Sequence, residues 1–535
     1  MRSVTVLFGT ESGNAQSLAE RAGEVLRSAG HAVDVIDMQN VDPAALAGFT
    51  TLLVITSTYG NGDPPSNAEA LHAFLMKKAE RLPGLSFSVC ALGDTTYERF
   101  AQCGKDFDRR LGELGARRLA PRVDCDVDYD VPFDRWLESV KVELVKLGSD
   151  PEVSAPTAAP VQPTAEKRVS DPRGTRRNPC ESRVLEVRPL TKDGSTRPAL
   201  SVVLDAGELA GAYLPGDSIG VFPANAAELV DAVLRAAGCS GEESVTLGDG
   251  AVGLREALTD RLEIQELDAR LVDVVRDRLG TARPSAEERS ALHRSHRVLD
   301  VLAELGGRGL SPAQLVAGLR ALQPRLYSVA SSPVVEPERL HLLVGLVEYS
   351  LHGSTRFGVA SRWFSRRVRP GDVVKTFVQR TPSFRIAPRS EDMILVGPGT
   401  GVAPYRAFLQ ERAATSGRGR TWLFFGARNR GTDFYYEEEW AGHLASGALT
   451  KLSCAFSRDQ AEKDYVQHHL LRSKSELSEW LRDGAFFYVC GDAHAMAPDV
   501  HAALVDILSQ DQPPEDARAE IAQMEREGRY LKDVY

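Results

Sequence analysis

The first 145 residues repeat one pattern: a short apolar run, a turn of small and polar residues, then a stretch with helical spacing. The runs "VTVLFG" (4–9), "AVDVIDM" (32–38), "TLLVITS" (51–57) and "SFSVCALG" (86–93) predict strands, and residues near 14–29 and 66–80 predict amphipathic helices between them. Strands that alternate with helices require crossovers, so they run parallel and carry helices on both faces. In such a sheet the loops at the carboxyl ends of the strands are the natural ligand site.

Three of those loops have matching chemistry. "TESGN" (10–14) lies where a strand meets a helix, and backbone N–H groups and the helix dipole favour an anion there. Thr10 and Ser12 add hydroxyl donors, and no lysine is supplied, so a monophosphate fits better than a nucleoside triphosphate. Taken alone, the turn reads equally well as a simple helix cap. "STYGNGDPP" (57–65) and "LGDTTYERFAQCGKDFD" (92–108) follow the third and fourth strands, each with a tyrosine, Tyr59 or Tyr97, among small or polar residues. A flat ring can stack between two such aromatics.

The 535 residues are enough for about three or four domains. Residues 148–178, rich in Pro, Ala, Ser and Thr without apolar periodicity, read as a flexible linker. From 179 to 388 the pattern is mainly β, interrupted by a helical insert at about 226–321, and from 389 to 535 the βα alternation resumes. The formal net charge of −10 argues against a general nucleic-acid binder and permits an acidic docking face, for which "DCDVDYD" (124–130) is the candidate. Seven scattered cysteines with no CxxC pair suggest no cluster, zinc site or disulfide framework, and fit a reducing cytoplasm. Residues 1–9 read as a strand and no apolar run of about 20 occurs, so neither a signal peptide nor a membrane anchor is expected.

The three N-terminal loops resemble those of the flavodoxin-type FMN domain of diflavin reductases, and "LGDTTYERFAQCGKDFD" is especially similar to the flavoprotein of sulfite reductase. The resemblance implies that Thr10, Glu11, Ser12, Gly13, Asn14 and Ala15 wrap the FMN phosphate. It implies that Ser57, Thr58, Tyr59 and Gly60, with Leu92, Gly93, Asp94, Tyr97 and Phe100, hold the isoalloxazine.

"RLYSVASS" (325–332) places Arg325 and Tyr327 on one side of a strand, where a cation can pair with a pyrophosphate and an aromatic can cover a ring. It resembles the RxYSxxSS signature of ferredoxin-reductase-like FAD domains, which assigns Arg325, Leu326, Tyr327 and Ser328 to FAD. That family adds "GVAS" (Gly358, Val359, Ala360, Ser361) for the diphosphate and "VGLVEY", with Val344, Gly345 and Tyr349, for the adenine side. "VGPGTGVAPYRAF" (396–408) is a strand-to-helix turn that does not meet the GxGxxG spacing but resembles the nicotinamide-side loop of these reductases, through Gly399 and Thr400. In "SRDQAEKDYVQ" (457–467), Ser457, Arg458, Lys463, Tyr465 and Gln467 offer cations, a hydroxyl and a phenol that suit a 2′-phosphate, hence NADPH rather than NADH.

By the same resemblance Cys490 lies beside the nicotinamide, Asp499 contributes to the dinucleotide site, and the terminal aromatic Tyr535 stacks on the FAD ring. Ser328, Cys490 and Asp533, with Tyr535, are then the residues of hydride transfer. One departure is Arg197-Pro198, where family members often show Arg-His.

The implied protein is multidomain α/β: a flavodoxin-like FMN domain (1–147), the linker, a β-barrel FAD domain and a Rossmann-like NADPH domain (389–535). Its implied reaction carries electrons from NADPH to FAD to FMN and on to a separate haem and iron–sulfur protein, the sulfite reductase hemoprotein. The chain opens directly on the first strand, where such flavoproteins commonly carry an extension. The alternative acceptors are a haem monooxygenase or a nitrate reductase, and a carrier or sensor without turnover is the reading from another class.

Overall fold

The computed structural model describes residues 3–11, 13–60, 62–148, 172–248, 250–351, 353–415 and 419–535. Ser12 and linker residues 149–171 lie outside the described residues. Two compact units are present: Met1–Pro172 with Arg283–Arg294, and Arg173–Ala282 with Ser295–Tyr535.

In the first unit, β1 (Ser3–Gly9), β2 (Ala32–Asp37), β3 (Thr51–Thr56), β4 (Ser86–Leu92) and β5 (Arg117–Arg118) form a parallel sheet in the order β2-β1-β3-β4-β5, and β6 (Val123–Cys125) pairs with β4. The side-chain period of two sends Val4, Val6 and Phe8 to one face and Leu7 to the other. On the first face they meet α1 (Asn14–Ser28) and α4 (Asp130–Gly148), through Leu18, Ala22, Phe133 and Trp136. On the other lie α2 (Glu69–Lys77) and α3 (Gln102–Glu113), through Leu71, Leu75, Phe107 and Leu111. Burial on both faces explains why these strands read as nearly continuous apolar runs.

The second unit holds two sheets. Strands β7 (Cys180–Pro189), β8 (Ala199–Asp205) and β9 (Ser218–Val221) precede the insert. Within the insert a hairpin, β10 (Ser244–Leu247) and β11 (Gly250–Gly253), follows α5 (Ala227–Ala237). The helices α6 (Leu254–Asp260), α7 (Ala269–Leu279), α9 (Val298–Ala303) and α10 (Pro312–Ala317) complete this unit's share of the insert, whereas α8 (Ala286–Ser295) falls, up to Arg294, in the first unit. The sequence reading expected the insert to be mostly helical and named no strand in it; Val245 and Thr246 are β-branched, and Gly248, at φ 60°, supplies the turn.

Then come β12 (Arg325–Ser328), β13 (Arg339–Gly345), the hairpin β14 (Glu348–Leu351) and β15 (Ser354–Phe357), α11 (Val359–Arg366) and β16 (Val373–Gln379). The antiparallel order is β12-β9-β16-β7-β8-β13. Its two edges meet where Val329 bridges Leu342 and the Ala330 N–H donates to His341 O (2.9 Å), which closes a barrel.

The remaining strands, β17 (Met393–Pro398), β18 (Thr421–Ala427), β19 (Lys451–Phe456), β20 (Phe486–Gly491) and β21 (Tyr530–Val534), are parallel in the order β19-β18-β17-β20-β21. The chain order reverses between β17 and β20, which is where an open α/β sheet binds its ligand. One core runs from this sheet into the barrel: Ala330, Leu343 and Phe384 pack with Tyr405, Phe408 and Tyr488. Phe384 stands edge-on to Tyr488 with ring centres 5.6 Å apart. Among the described residues no helix is long and apolar enough to cross a membrane.

In the first unit α3 approaches β4 so closely that a Cβ on Gly104 would lie 2.2 Å from the Ala91 Cβ. Gly104→Ala must push the helix off the strand, at a cost of about 1–3 kcal/mol. We expect a lower urea midpoint for this unit, read by circular dichroism; an unchanged midpoint would show that the helix moves freely.

Candidate functional site

At the carboxyl edge of the first sheet, the loops after β1, β3 and β4 stand side by side because those strands are neighbours. The Thr10 N–H donates to Asn67 Oδ1 (2.8 Å), and the Glu11 carboxylate accepts from Ser66 N (2.8 Å) and Oγ (3.3 Å). Gly13, at φ 78°, turns the chain into α1, and the Tyr129 hydroxyl donates to Asn14 Oδ1 (3.1 Å). The Thr10 hydroxyl is buried and has no hydrogen-bond partner among the described residues. A buried hydroxyl without a partner costs about 1–3 kcal/mol, and an anion at the N-terminus of α1 would satisfy it.

The second loop is pinned by Ser57 N donating to Gly9 O (2.8 Å) and Thr58 N donating to Leu92 O (3.1 Å). Thr58 Oγ1 also accepts from the Cys103 N–H (3.2 Å). In the third, Asp94 Oδ1 accepts from Thr96 N (2.8 Å) and Oγ1 (2.6 Å), while a Cβ on Gly93 would sit 2.6 Å from Ala101 N. Tyr97 is 55% exposed, unusual for a large aromatic, and Tyr59 is half-buried. Phe100 lies 5.1 Å beneath the Lys105 ammonium. Ala15 is buried in the first turn of α1, and Gly60 has φ 51°. The "DCDVDYD" run is largely engaged at home: Asp124 pairs with Arg122 (2.7 Å), Asp126 Oδ2 accepts from Thr95 Oγ1 (2.7 Å), and Asp130 pairs with Arg21 (3.1 Å).

In the second unit, β12 brings the RLYS residues to the barrel wall, with Arg325 opposite Val221 and Tyr327 opposite Ile219. Arg325 Nη1 donates to Gln323 O (2.7 Å), and Nη2 lies 3.6 Å from the buried Glu263 carboxylate. Tyr327 stands edge-on to Phe364 of α11, 6.0 Å away, and burial pushes its phenol pKa up. Leu326 points outward, 38% exposed. Gly358 caps α11 ahead of Val359 and Ala360, and Ser361 Oγ accepts from the Val347 N–H (3.1 Å). The Tyr349 hydroxyl accepts from Arg297 Nε (3.1 Å) and donates to Glu266 Oε1 (3.3 Å). Val344 is buried in β13, and a Cβ on neighbouring Gly345 would lie 3.0 Å from Thr400 Cγ2.

At the β17/β20 switch point the glycines serve backbone packing. A Cβ on Gly401 would fall 2.0 Å from Cys490 O, and Gly399 turns at φ 58°. Strand β21 pairs with β20 so that Asp533 lies opposite Cys490. Ser328 Oγ, from the barrel, donates to Asp533 Oδ2 (2.8 Å), and Cys490 Sγ donates to the same oxygen (3.6 Å). The Tyr535 N–H donates to Gly491 O (3.0 Å), and its phenol shares a hydrogen bond with Thr400 Oγ1 (3.1 Å). Four residues named from the sequence, 328, 490, 533 and 535, thus converge from two sheets. Burial raises the Asp533 carboxyl above its ordinary pKa, and hydrogen bonds from Ser328 and Cys490 oppose that. Burial and the neighbouring Asp533 raise the Cys490 thiol well above its ordinary value.

At the far edge, Ser457 is buried and its N–H donates to Ala427 O (3.0 Å), while Arg458, Lys463 and Tyr465 are exposed. Gln467 Nε2 donates to Asp499 Oδ2 (2.9 Å), which joins two residues that the sequence reading placed at the dinucleotide. The sequence reading passed over Arg428, whose Nη1 donates to Thr196 Oγ1 (2.9 Å). Burial, with Arg197 and Arg458 close by, pushes its guanidinium pKa down. A signal existed in "GAR", a cation at the carboxyl end of a parallel strand, but the partners are remote in sequence.

The residues fit the groups they are expected to hold: in one unit a buried hydroxyl at a helix N-terminus with no partner among the described residues, and in the other a tyrosine at the barrel wall and a cation cluster at the β18–β19 edge of the parallel sheet. A flavodoxin-like unit joined to a flavin-binding barrel and a dinucleotide-binding sheet defines a diflavin oxidoreductase. The flavodoxin family matches residues 6–135, the FAD binding domain family 269–363, and the oxidoreductase NAD-binding domain family 395–502. The chain is 42% identical over 547 residues to the sulfite reductase [NADPH] flavoprotein alpha-component of Bacillus subtilis, covering 100% of this chain and 89% of that one. It is 39% identical over 546 residues to the protein of the same name from Vibrio vulnificus (99% and 87% covered). To that from Shewanella oneidensis it is 37% identical over 547 residues (100% and 90%). The chain belongs to this family of NADPH-dependent flavoprotein oxidoreductases.

A carboxyl whose pKa is higher in the folded than in the unfolded chain stabilises at acid pH, and that contribution is lost as pH rises through the folded value. Asp533 is such a group. Asp533→Asn is therefore expected to raise the melting temperature relative to the parent at pH 8, with the gap shrinking as pH falls toward about 4, the unfolded carboxyl value. A gap independent of pH would show that the carboxylate charge carries no cost.

Proposed function

We propose that the chain is the electron-input component of an NADPH-dependent sulfite reductase, working in the cytoplasm with a separate haem and iron–sulfur subunit. The observation that carries this reading is the meeting of Ser328, Cys490 and Asp533 beside Tyr535. The names of the relatives, each a flavoprotein component of an NADPH-dependent sulfite reductase, support a separate partner component as the acceptor. Bound flavins supply the conversion of a two-electron hydride donor into single-electron deliveries.

The chain's own residues do the rest. Asp533 holds the Ser328 hydroxyl and the Cys490 thiol on one carboxylate oxygen, so both donors are fixed before substrate arrives. The Tyr535 phenol, held by Thr400, covers the site and must leave it for a nicotinamide to enter. Arg458, Lys463, Tyr465 and Ser457 grip the 2′-phosphate, and Arg428 adds positive potential. Gln467 and Asp499 line the same edge. In the barrel, Arg325, Tyr327 and the Gly358–Ser361 turn hold FAD, with Leu326, Val344, Gly345 and Tyr349 along its length. In the first unit, Thr10, Glu11 and Gly13–Ala15 hold the FMN phosphate. Ser57–Gly60, Leu92–Asp94, Tyr97 and Phe100 seat its ring.

Anaerobic titration with NADPH, followed by visible absorbance and flavin quantification, tests this. One FAD and one FMN per chain, bleached by about two equivalents of NADPH, are expected, since each flavin takes two electrons. FAD without FMN, or no bleaching, would overturn the reading.

A further inference from the structure

The reductive contact joins two separately built sheets. Ser328 ends a barrel strand, whereas Cys490 and Asp533 belong to the parallel sheet, yet Ser328 Oγ and Asp533 Oδ2 are held 2.8 Å apart. The shared apolar core brings the two bodies together, but dispersion contacts carry no direction of their own. Something directional must fix the β12 end of the contact.

That role falls to one face of α12 (Ala403–Ala414), the helix that continues directly from the turn Gly399–Val402. Arg406, only 6% exposed, donates from Nη1 to Ala330 O (2.6 Å), two residues beyond Ser328. The other side of its guanidinium makes a two-pronged pair with Glu439, at 2.6 Å and 3.2 Å. Its plane lies 5.0 Å over the ring of Tyr436, a residue kept in the left-handed region at φ 58°. One turn along the helix, Gln410 Oε1 accepts from the Ser332 N–H (2.9 Å), and Glu411 Oε2 accepts from Ser332 Oγ (2.9 Å). The segment 330–332 is therefore clamped to a helix whose N-terminal turn carries Thr400, the partner of Tyr535.

We propose that Arg406 is a positioning residue for the reductive site: by tying Ala330 to the helix that carries the Gly399–Val402 turn, it sets the reach of Ser328 to Asp533. The inference rests on the reductive role proposed above for Ser328. A buried, fully engaged guanidinium suits this work because its fork is rigid and planar, which a lysine cannot reproduce. A rigid α12 also links the two ends of the site. A shift of the turn at its N-terminus moves Arg406, and with it Ala330 and Ser328.

The test is a double-mutant cycle on the full-length flavin-loaded protein, since residues acting as a unit are not additive. Anaerobic single-turnover bleaching by NADPH is measured for the parent, Arg406→Gln, Ser328→Ala and the double variant, with NADP+ affinity and FAD content alongside. Arg406→Gln is expected to slow bleaching about tenfold in the parent background and less than twofold in the Ser328→Ala background, with NADP+ affinity unchanged. Arg406→Lys falls between, and keeps the test alive if the glutamine variant fails to fold. Independently of turnover, hydrogen exchange in the peptide spanning 328–332 accelerates in Arg406→Gln and Arg406→Lys but not in Ser328→Ala.

Equal slowing in both backgrounds, or unaltered exchange, overturns the proposal. If Ser328→Ala leaves bleaching at the parent rate, the reductive role of Ser328 is what fails. Exchange then still reports whether Arg406 holds the segment.

Discussion

The seam between the barrel and the parallel sheet is the constraint on which the reductive half of this protein depends. Phe384, Ala330 and Leu343 from one side and Tyr405, Phe408 and Tyr488 from the other form a single buried cluster. Burying a large aromatic side chain in such a place contributes roughly 1.5–3 kcal/mol. That burial holds the two sheets together, and directional bonds across the seam set its register. The Tyr488 hydroxyl donates to Arg385 O (2.8 Å), and Arg385 in turn pairs with the buried Asp217 at the foot of β9. A site composed of one residue from β12 and two from β20 and β21 is possible only because the two sheets are joined in this way.

The same seam explains the chemistry of the site. Asp533 is a carboxylate removed from water, with the Ser328 hydroxyl and the Cys490 thiol donating to it. Such a group is costly to keep, and its burial is worthwhile where it orients other groups. The close approach of Gly401 to Cys490 belongs to the same logic. The turn at the head of α12 must pass within contact of β20, so no side chain is tolerated there. Gly397 and Gly401 of "GPGTG" thus serve backbone packing and Gly399 a left-handed turn, whereas the analogous loop in the first unit keeps the Thr10 hydroxyl without a partner among the described residues.

Much of this was legible in the sequence, for physical reasons. Fully buried parallel strands leave continuous apolar runs, and their ligand loops must fall at strand ends, so Thr10, Tyr59, Tyr97 and the RLYS segment could be named with their elements. The C-terminal aspartate and aromatic were named from the family pattern. That Asp533 faces Cys490, however, depends on the pairing of β21 with β20, and a parallel register between strands joined by a long crossover leaves no local trace. Arg406 and Arg428 were missed because their partners, Ala330 and Thr196, are 76 and 232 residues away, so the chain around them shows only a charged position on a helix or after a strand. The hairpin within the mostly helical insert was not named because its four-residue strands are too short to show a period.

The central claim is that the Ser328–Cys490–Asp533 cluster is where NADPH delivers its electrons. The most direct measurement is stopped-flow bleaching of FAD by NADPH deuterated at the transferred position, in the parent and in Ser328→Ala at equal FAD occupancy. The account predicts that deuterium slows bleaching and that removing the hydroxyl slows it about 100-fold, with dinucleotide affinity retained. Bleaching in Ser328→Ala at the parent rate would contradict it and place the reductive site elsewhere.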